Sequence, residues 1–281
     1  MKKRLLSAAV CAGILATLSG CLKDTCRNTY KIYAPITKTL TQVRAEMRSA
    51  APQPLENTGK IYVFGNYIFM NEVNKGIHII DNSNPASPQN ISFINIPNNI
   101  DLAVKGNYLY ADSYSDIAVF DISNPTNVTA VKFLNNVIRD KNRYWTANQT
   151  NPDQINVIVG YSERDTTVDC ETYQSWTGCP NCVFATAGGG GVFSASMPQA
   201  GAGGSMARFA IQNDFLYAVS TNELYSISIS DPVSPLLTST QNLGSWVVET
   251  IYPFRDKLFI GSRNGMFIYT LNNPAVPTAQ G

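Results

Sequence analysis

The sequence has little of what most enzymes use. Its 281 residues include a single histidine, His78, and only 15% of them are charged. The single histidine does not stand in a Ser-His-Asp order, and no HExxH motif, dinucleotide fingerprint or paired-carboxylate motif is present. A net charge of +1 gives no sign of a nucleic-acid partner. We therefore predict no catalytic, cofactor-binding or metal-binding residues, and no cofactor.

Long apolar runs are also missing, except at the N-terminus. There "MKKR" precedes about sixteen mostly apolar residues and Cys21, fewer than the roughly 20 that a membrane-spanning helix needs. Leu18-Ser19-Gly20-Cys21 resembles the lipobox of bacterial lipoproteins, in which the cysteine is acylated and the preceding peptide is removed. An ordinary signal peptide is the alternative. We expect residues 1–20 to be a lipoprotein signal peptide and Cys21 to carry the acyl chains of a membrane anchor.

The remaining cysteines are few but even in number. An exported chain lies in an oxidising compartment, where an even number favours disulfides. The C-x-x-C at Cys179 and Cys182 is expected to form a disulfide with Cys170. A redox pair, which needs a helix N-terminus, and a zinc site, which needs a fourth ligand, are alternatives. The disulfide candidates are Cys26, Cys170, Cys179 and Cys182.

A short unit recurs along the chain. "GIHIIDNSNP" (76–85) and "IAVFDISNP" (117–125) are apolar strands that end in a polar turn, and weaker copies lie at 224–232 and 266–274. Asp81 and Asp121 are positioned to accept hydrogen bonds from the turn backbone, and the proline ends strand pairing. A calcium or ligand role for the two aspartates is the alternative.

The spacing of this unit predicts the fold class. Landmarks such as Gly65-Asn66 and Gly106-Asn107 recur every 40 to 42 residues, and the 3.6-residue period of helices is absent. Four short antiparallel strands per repeat are typical of a β-propeller blade. We predict an all-β, β-propeller-like array of about four four-stranded antiparallel blades. Because the last repeat stops at Gly281, either the tether supplies a strand (Asn28–Pro35) or more blades follow. We favour the second and expect an open or incomplete ring in a truncated chain. The predicted blades are 58–99, 100–137, 205–246 and 247–281.

Two segments do not follow the repeat. Residues 21–57 are predicted to be the lipidated cysteine and a polar tether with a short helix within Thr37–Ala51. A Cys/Gly-rich insertion at 138–204 interrupts the propeller repeats of 58–281. It contains one predicted strand, Gln154–Glu163, and a glycine-rich run that lacks the Gly-Lys-Ser/Thr of a P-loop and is expected to be a flexible arm. Long insertions often carry binding.

These repeats resemble those of LVIVD-repeat proteins, which are propellers of bacterial and archaeal surfaces. "GIHIIDNSNP" and "IAVFDISNP" stand where that family has its core, and the first two repeats resemble lipoproteins of Bacteroidetes type. The resemblance covers Lys60 to Asn136 closely and Ala207 to Pro277 less closely, since the later copies lack an aspartate at the position of Asp81. It implies a fold and a location but no chemistry.

Position within a blade indicates where a ligand would bind. The start of each innermost strand faces the central channel of a propeller. The residues in this register, and thus the candidate ligand contacts at the channel mouth, are Lys60, Asp101, Arg208 and Thr250. Neighbouring loop residues that could add to them are Glu72, Asp112, Asp116 and Arg263. The alternative is that a wet channel mouth simply tolerates charge.

Two functions follow from these observations. The first is a non-enzymatic, membrane-anchored binding or scaffold lipoprotein with a protein or glycan partner. The second is a propeller hydrolase or lyase acting on glycans, which needs two carboxylates about 5 to 9 Å apart, such as Asp101 with Asp112 or Asp116. Leu22, following the lipidated cysteine, favours the outer membrane of the cell envelope, with a periplasmic or surface-facing orientation.

Overall fold

The computed structural model describes residues 27–138, 151, 153–169, 183–185, 207–244 and 248–280. Contacts divide the chain into two compact units, Ile36–Gly160 with Ser196–Gly281, and Met1–Pro35 with Tyr161–Ala195. The predicted signal peptide, the glycine-rich run and five cysteines lie outside the described residues. These cysteines are Cys21, Cys26, Cys170, Cys179 and Cys182.

The larger unit contains four antiparallel sheets arranged as a four-bladed β-propeller, as the sequence predicts. Each blade is built from four consecutive strands, and a short fifth strand, β2 (Ser49–Ala50), joins the sheet of the first blade. The first blade comprises β3 (Thr58–Phe64), β4 (Tyr67–Glu72), β5 (Gly76–Asp81) and β6 (Gln89–Asn95); the second β7 (Leu102–Lys105), β8 (Tyr108–Ser113), β9 (Asp116–Asp121) and β10 (Thr129–Leu134); the third β13 (Phe209–Gln212), β14 (Phe215–Val219), β15 (Glu223–Ser228) and β16 (Leu236–Asn242); the fourth β17 (Val248–Phe254), β18 (Lys257–Ser262), β19 (Gly265–Thr270) and β20 (Thr278–Gln280).

The first hairpin of every blade turns through a residue with positive φ. This residue is Gly65 (φ 58°), Gly106 (φ 56°), Asn213 (φ 54°) or Arg255 (φ 55°), in chain order. Glycine and asparagine adopt this left-handed conformation readily, whereas arginine does so at a cost. The Gly-Asn signal marks this turn in the first two blades, and the third and fourth blades have Asn-Asp and Arg-Asp at the same turn.

The polar turn after the third strand is also repeated. Asp81 Oδ1 accepts from Ser83 N at 2.8 Å, and Asp121 Oδ1 accepts from Ser123 N at 2.8 Å. These bonds confirm the turn role predicted for the two aspartates. A second hydrogen bond occurs in every blade. The side-chain oxygen of the residue before the proline accepts from the backbone N–H two residues later. These residues are Asn84, Asn124, Asp231 and Asn273.

The hydrophobic core lies between blades rather than within them. One cluster joins the first and second blades around Phe69 and Leu109, a second joins the second and third around Leu216, and a third joins the third and fourth around Tyr217 and Leu258. Among the described residues no such cluster joins the fourth blade to the first. Burial of apolar side chains between blades thus holds successive repeats together.

Residues 27–50 differ from the polar tether that the sequence predicts. They form the strand β1 (Arg27–Thr39), the helix α1 (Leu40–Ala45) and the short strand β2 (Ser49–Ala50), which pairs with β6. The helix begins with a capping box, in which the Thr39 hydroxyl accepts from Gln42 N. Leu40 and Val43 are buried against the first two blades, and this packing makes α1 part of the propeller core.

Part of the insertion forms a sheet with β1 that is separate from the four blades. The strand β11 (Asn156–Asp169) is longer than the predicted Gln154–Glu163, and it forms a three-stranded sheet with β1 and β12 (Val183–Ala185) in the order β11-β1-β12. β1 pairs with β12 antiparallel, with Ile32 opposite Phe184. Residues 27–39 are rich in β-branched and aromatic types, which favour extended structure and explain why β1 is a strand.

Candidate ligand-binding site at the inner strands

The four predicted channel-mouth residues occupy equivalent places near the start of the innermost strands β3, β7, β13 and β17. These strands follow one another in the larger unit, with β7 between β3 and β13, and β13 next to β17. Lys60 and Asp101 are buried, while Arg208 and Thr250 are partly buried. The structure therefore brings the candidates together, but places two of them inside the protein.

Asp101 binds groups from three blades. Its Oδ1 lies 2.6 Å from Lys60 Nζ of the first blade and accepts from Leu102 N of its own blade at 2.6 Å. Its Oδ2 accepts from the backbone N–H groups of Arg208 and, at 2.9 Å, Phe209 in the third blade. Hydrogen bonds to a carboxylate are shorter and stronger than those between neutral groups. Asp101 thus acts as a junction between the inner strands.

Lys60 makes the complementary contacts. Besides its ion pair with Asp101, its Nζ donates to the carbonyl oxygen of Phe209 at 3.1 Å and lies 5.8 Å from the centre of the Tyr62 ring. A lysine of the first blade thus contacts the third blade directly. Burying an ammonium group is costly unless it is paired and hydrogen-bonded, and these contacts meet that need.

Of the other two candidates, Thr250 connects the fourth blade to the third, and Arg208 connects the third blade to the second. Thr250 Oγ1 donates to the carbonyl oxygen of Ala207 at 3.3 Å, and Ile251 N donates to the same oxygen at 2.7 Å. Arg208 contributes its backbone N–H to Asp101 and its carbonyl oxygen to Val219 N at 3.0 Å. The two bonds to the carbonyl oxygen of Ala207 align the start of β17 with the start of β13.

A buried network of amides and carboxylates extends from this junction, and the sequence analysis did not find all of it. Asp112 Oδ1 accepts from Asp101 N at 2.7 Å and from Asn99 Nδ2 at 2.8 Å, and Asn99 Oδ1 accepts from Asn71 Nδ2 at 2.6 Å. Asn71 and Asn99 were missed because asparagine in a turn-rich chain ordinarily indicates a turn. The "NNID" segment before β7 is the one signal that could have indicated Asn99.

Glu72 and His78 lie buried in the first blade, with Glu72 Oε2 3.2 Å from His78 Nε2. Burial alone would raise the pKa of Glu72. Hydrogen bonds from the backbone N–H groups of Asn57 and Glu56 and from His78 outweigh it, so the pKa is held below its usual value. Through Glu72, this pair holds the backbone of residues 56–57, which leads into β3, against the first blade.

The two remaining neighbours serve other contacts. Asp116 is buried, with its Oδ2 2.5 Å from Arg44 of α1 and its Oδ1 accepting from Asn136 N at 2.9 Å. Arg263 is exposed, and its Nε lies 3.2 Å from Glu249 Oε1. Asp116 therefore fixes the helix against the second blade, and Arg263 makes a surface ion pair.

The chemistry of this site is that of a structural junction. The carboxylates weighed as a catalytic pair, those of Asp101, Asp112 and Asp116, are each buried and hydrogen-bonded to backbone N–H groups. A general base needs access to a substrate proton. Within the described part of the chain, no three His, Cys, Asp or Glu side chains are grouped to hold a metal ion, and no helix has the length and apolar character to cross a bilayer.

Comparison with known families agrees with the repeat seen in the first three blades. The LVIVD repeat model matches residues 57–94, 98–135 and 203–242. The chain carries three LVIVD repeats. Each match covers one blade as the structure defines it, except that the first ends one residue before the end of β6, and the fourth blade lies outside the matched ranges. The first two matched ranges contain Asp81 and Asp121, whose contacts in the turn are described above.

No curated protein is significantly similar to this chain. Among solved structures, the computationally designed protein Ika4 is 6% identical, with a TM-score of 0.42, over 79% of this chain and 96% of its own. Hsv2 of Kluyvelomyces marxianus is 12% identical, with a TM-score of 0.37, over 78% and 50%. The β-propeller domain of Myceliophteria thermophila Cps50 (Swd1) is 13% identical, with a TM-score of 0.35, over 83% and 73%. The chain thus spans about half of the Hsv2 protein.

Proposed function

We propose that this protein is a lipoprotein of Bacteroidetes type that displays a β-propeller in the cell envelope as a binding or scaffold module. In this proposal Cys21 carries the acyl anchor, the outer membrane holds the chain, and the partner is a protein or a glycan. No catalysis is part of it. The β-propeller of LVIVD repeats is a fold that serves as a scaffold in many settings, so the function must come from its sites.

The observation that carries this proposal is that the charged side chains at the inner strands bind one another and the backbone. Lys60 and Asp101 are buried and bonded to each other and to the backbone of the third blade. Groups bound in this way position the blades and do not turn over a substrate. Support for the binding role comes from the smaller unit, Met1–Pro35 with Tyr161–Ala195. Part of the insertion forms a sheet with β1 there and does not add a blade to the propeller.

The surface proposed to contact the partner is the part of β11 in that unit. Residues 161–165 are exposed, and they include Tyr161, Arg164 and Asp165 in addition to Glu163, which forms an ion pair with Lys31 of β1. Tyrosine and arginine are enriched where proteins bind partners, since each offers a large contact area and a polar group.

Lipid anchoring is tested by metabolic labelling with an alkyne palmitate analogue. The wild-type chain is expected to incorporate the label and to sediment with outer-membrane vesicles, and Cys21→Ser is expected to do neither. Cys26→Ser is the matched control, since it removes a nearby thiol outside the lipobox. A wild-type chain that stays unlabelled and in the soluble fraction would contradict the anchor.

Partner binding is tested by placing a photocrosslinking amino acid at Tyr161 in the full-length chain, in intact cells. A discrete adduct is expected from Tyr161, sensitive to protease if the partner is a protein and to glycosidase if it is a glycan. The same group at Leu236, an exposed residue on the outermost strand of the third blade, is the control. Equal adducts from both positions, or none from Tyr161, would contradict the proposed surface.

A further inference from the structure

A cavity of about 200 Å³ lies between the third and fourth blades, beside the turns of their first hairpins. Gln212 of the third blade and Arg255 and Asp256 of the fourth line it at these turns. Tyr217 and Leu271, which are both buried, line it between the blades. The cavity thus combines polar groups near the surface with apolar groups further in, which suits a small ligand with one polar end.

The junction of the second and third blades shows what occupies the same place there. Lys105 stands immediately before the turn residue Gly106, as Gln212 stands immediately before the turn residue Asn213. Lys105 Nζ donates to the carbonyl oxygen of Asn213 at 2.7 Å and forms an ion pair with Asp214. The side chain of Lys105 thus crosses from the second blade to the third and brings an ammonium group to the turn.

The junction of the third and fourth blades keeps the acceptors of that contact but has no lysine. Asp256 is the equivalent of Asp214, because each follows the turn residue with positive φ. Gln212 Nε2 donates to the carbonyl oxygen of Arg255 at 2.8 Å, which replaces the bond of Lys105 to the turn carbonyl. An amide carries no charge, so in the described part of the third blade no cation reaches the Asp256 carboxylate.

The three junctions between successive blades differ in the charges at these two positions. The junction of the first and second blades has Phe64 and Asn107, so neither charge is present, and the next junction has both charges. The junction of the third and fourth blades has the carboxylate without the ammonium group. It is also the one at which the cavity described above lies.

Two cations flank Asp256 in the chain, and both leave its carboxylate accessible. Lys257 Nζ lies 3.7 Å from Asp256 Oδ2, and the Asp256 side chain is still 63% exposed. Exposed ion pairs of this kind are weak. The guanidinium carbon of Arg255 lies 5.1 Å from the centre of the Phe254 ring, so this cation stacks on an aromatic side chain. The carboxylate can therefore accept a further cation.

We propose that this cavity binds a primary ammonium group carried on a short alkyl chain. The ammonium group takes the place that Lys105 Nζ has at the preceding junction, with Asp256 as its counter-ion. The alkyl chain lies against Tyr217 and Leu271. An ammonium group has three donors and no acceptor, which matches the carboxylate and amide oxygens at the turns. A free small amine and the side chain of a lysine in another protein both supply this chemistry. The site does not depend on the partner proposed for β11.

The experiment is saturation-transfer difference NMR on the full-length chain of residues 1–281 in mild detergent. The probe is 1-butylamine at pH 7, where it is charged as lysine is, and 1-butanol is its neutral analogue. The wild-type chain is expected to bind butylamine with millimolar affinity and to bind butanol more weakly. Asp256→Asn is expected to weaken butylamine binding about fivefold, the effect of losing one exposed ion pair. Circular dichroism verifies that each variant is folded.

Variants at the lysine position give the sharper test. Gln212→Lys is expected to abolish butylamine binding, because its own ammonium group then pairs with Asp256. Lys105→Gln is expected to create a second binding site at Asp214, since it reproduces the arrangement of the next junction. Asp214→Asn in the wild-type background is the matched control and is expected to leave binding unchanged, because Lys105 already occupies that carboxylate.

A lysine derivative distinguishes the two sources of the ammonium group. Binding of Nα-acetyl-lysine methylamide as tight as that of butylamine would identify a lysine side chain of another protein, and weaker binding would identify a free amine. The proposal is overturned by a wild-type chain that does not bind butylamine or binds butanol equally well. Binding that survives Gln212→Lys, or that falls as much in Asp214→Asn as in Asp256→Asn, would overturn it too.

Discussion

Lys60 of the first blade and Asp101 of the second form a buried ion pair, with Nζ 2.6 Å from Oδ1. Both groups also bind the backbone of the third blade, because Lys60 donates to Phe209 O and Asp101 accepts from Phe209 N. Two side chains thus join three repeats at the inner strands. Equivalent positions of a repeat protein would ordinarily carry the same residue, and here they carry complementary ones.

Removing one member of this pair is expected to destabilise the propeller. Asp101→Asn leaves the Lys60 ammonium buried without its counter-charge, and we expect the free energy of unfolding to fall by about 3 kcal/mol, measured by urea denaturation. Asp214→Asn is the control, because the ion pair of Asp214 with Lys105 is solvent-exposed and is expected to contribute less than about 1 kcal/mol. Equal effects of the two substitutions would contradict a structural role for Asp101.

Two buried tyrosines at equivalent positions give a matched test of hydrogen bonding between blades. The Tyr217 hydroxyl donates to Pro274 O at 2.9 Å, whereas the Tyr110 hydroxyl has no hydrogen-bond partner among the described residues. Burial raises the pKa of both phenols, to about 12 for Tyr110. Tyr217→Phe is expected to lower the free energy of unfolding by about 1 kcal/mol. Tyr110→Phe is expected to leave it unchanged or raise it, and a larger loss from Tyr110→Phe would contradict this assignment.

Two glycines with positive φ are expected to differ in their tolerance of a side chain. A Cβ at Gly76 (φ 152°) would overlap the carbonyl oxygen of Ile94, whereas a Cβ at Gly106 (φ 56°) would meet nothing. Gly106→Ala should therefore cost only the backbone strain, about 1 kcal/mol. Gly76→Ala adds a clash with the neighbouring strand, so we expect at least about 3 kcal/mol. Thermal unfolding of both variants measures the difference.

The turn aspartates predict how stability depends on pH. The hydroxyl and N–H of Ser83 lower the pKa of Asp81, and the N–H and hydroxyl of Ser123 lower the pKa of Asp121. A carboxyl whose pKa is lower in the folded state stabilises the fold above its unfolded pKa of about 3.9. That contribution is lost as the pH falls through the lowered value.

Serine substitutions distinguish which hydrogen bond has the larger effect on the pKa of each aspartate. The hydroxyl is the larger influence at Asp81 and the backbone N–H at Asp121. Ser83→Ala should therefore raise the pKa of Asp81 more than Ser123→Ala raises that of Asp121, since alanine keeps the N–H. Carbon-detected NMR titration of the carboxyl groups measures both. A greater change at Asp121 would show that the hydroxyl dominates there instead.

The blades could be predicted from the sequence because their signals are local. An apolar strand, the Asn-Pro or Asp-Pro turn and the hairpin turn at Gly65 and Gly106 recur at one spacing, and each is fixed by the preferences of a few adjacent residues. Even the fourth blade, where Arg255 replaces the turn glycine, was recognisable from its neighbours.

The role of the candidate site was harder to predict, although its positions were found. Register placed Lys60, Asp101, Arg208 and Thr250 on the inner strands, but register does not show whether a charged side chain faces solvent or another blade. Burial of the Lys60 and Asp101 pair depends on how closely the first three blades approach. Asn71 and Asn99 were missed for the same reason, since their partners lie in the neighbouring blade or at the start of another strand.

The sequence by itself determined the strands of the blades, their turns, their period and the number of blades, because each rests on interactions within a repeat. Only the tertiary structure decided that β1 and β11 share a sheet, that α1 packs into the core, and that the charges of the inner strands bind one another. It also placed Gln212 and Asp256 at one cavity between the third and fourth blades. These features depend on contacts between residues far apart in the chain, and such contacts follow from how the blades pack and not from local preference.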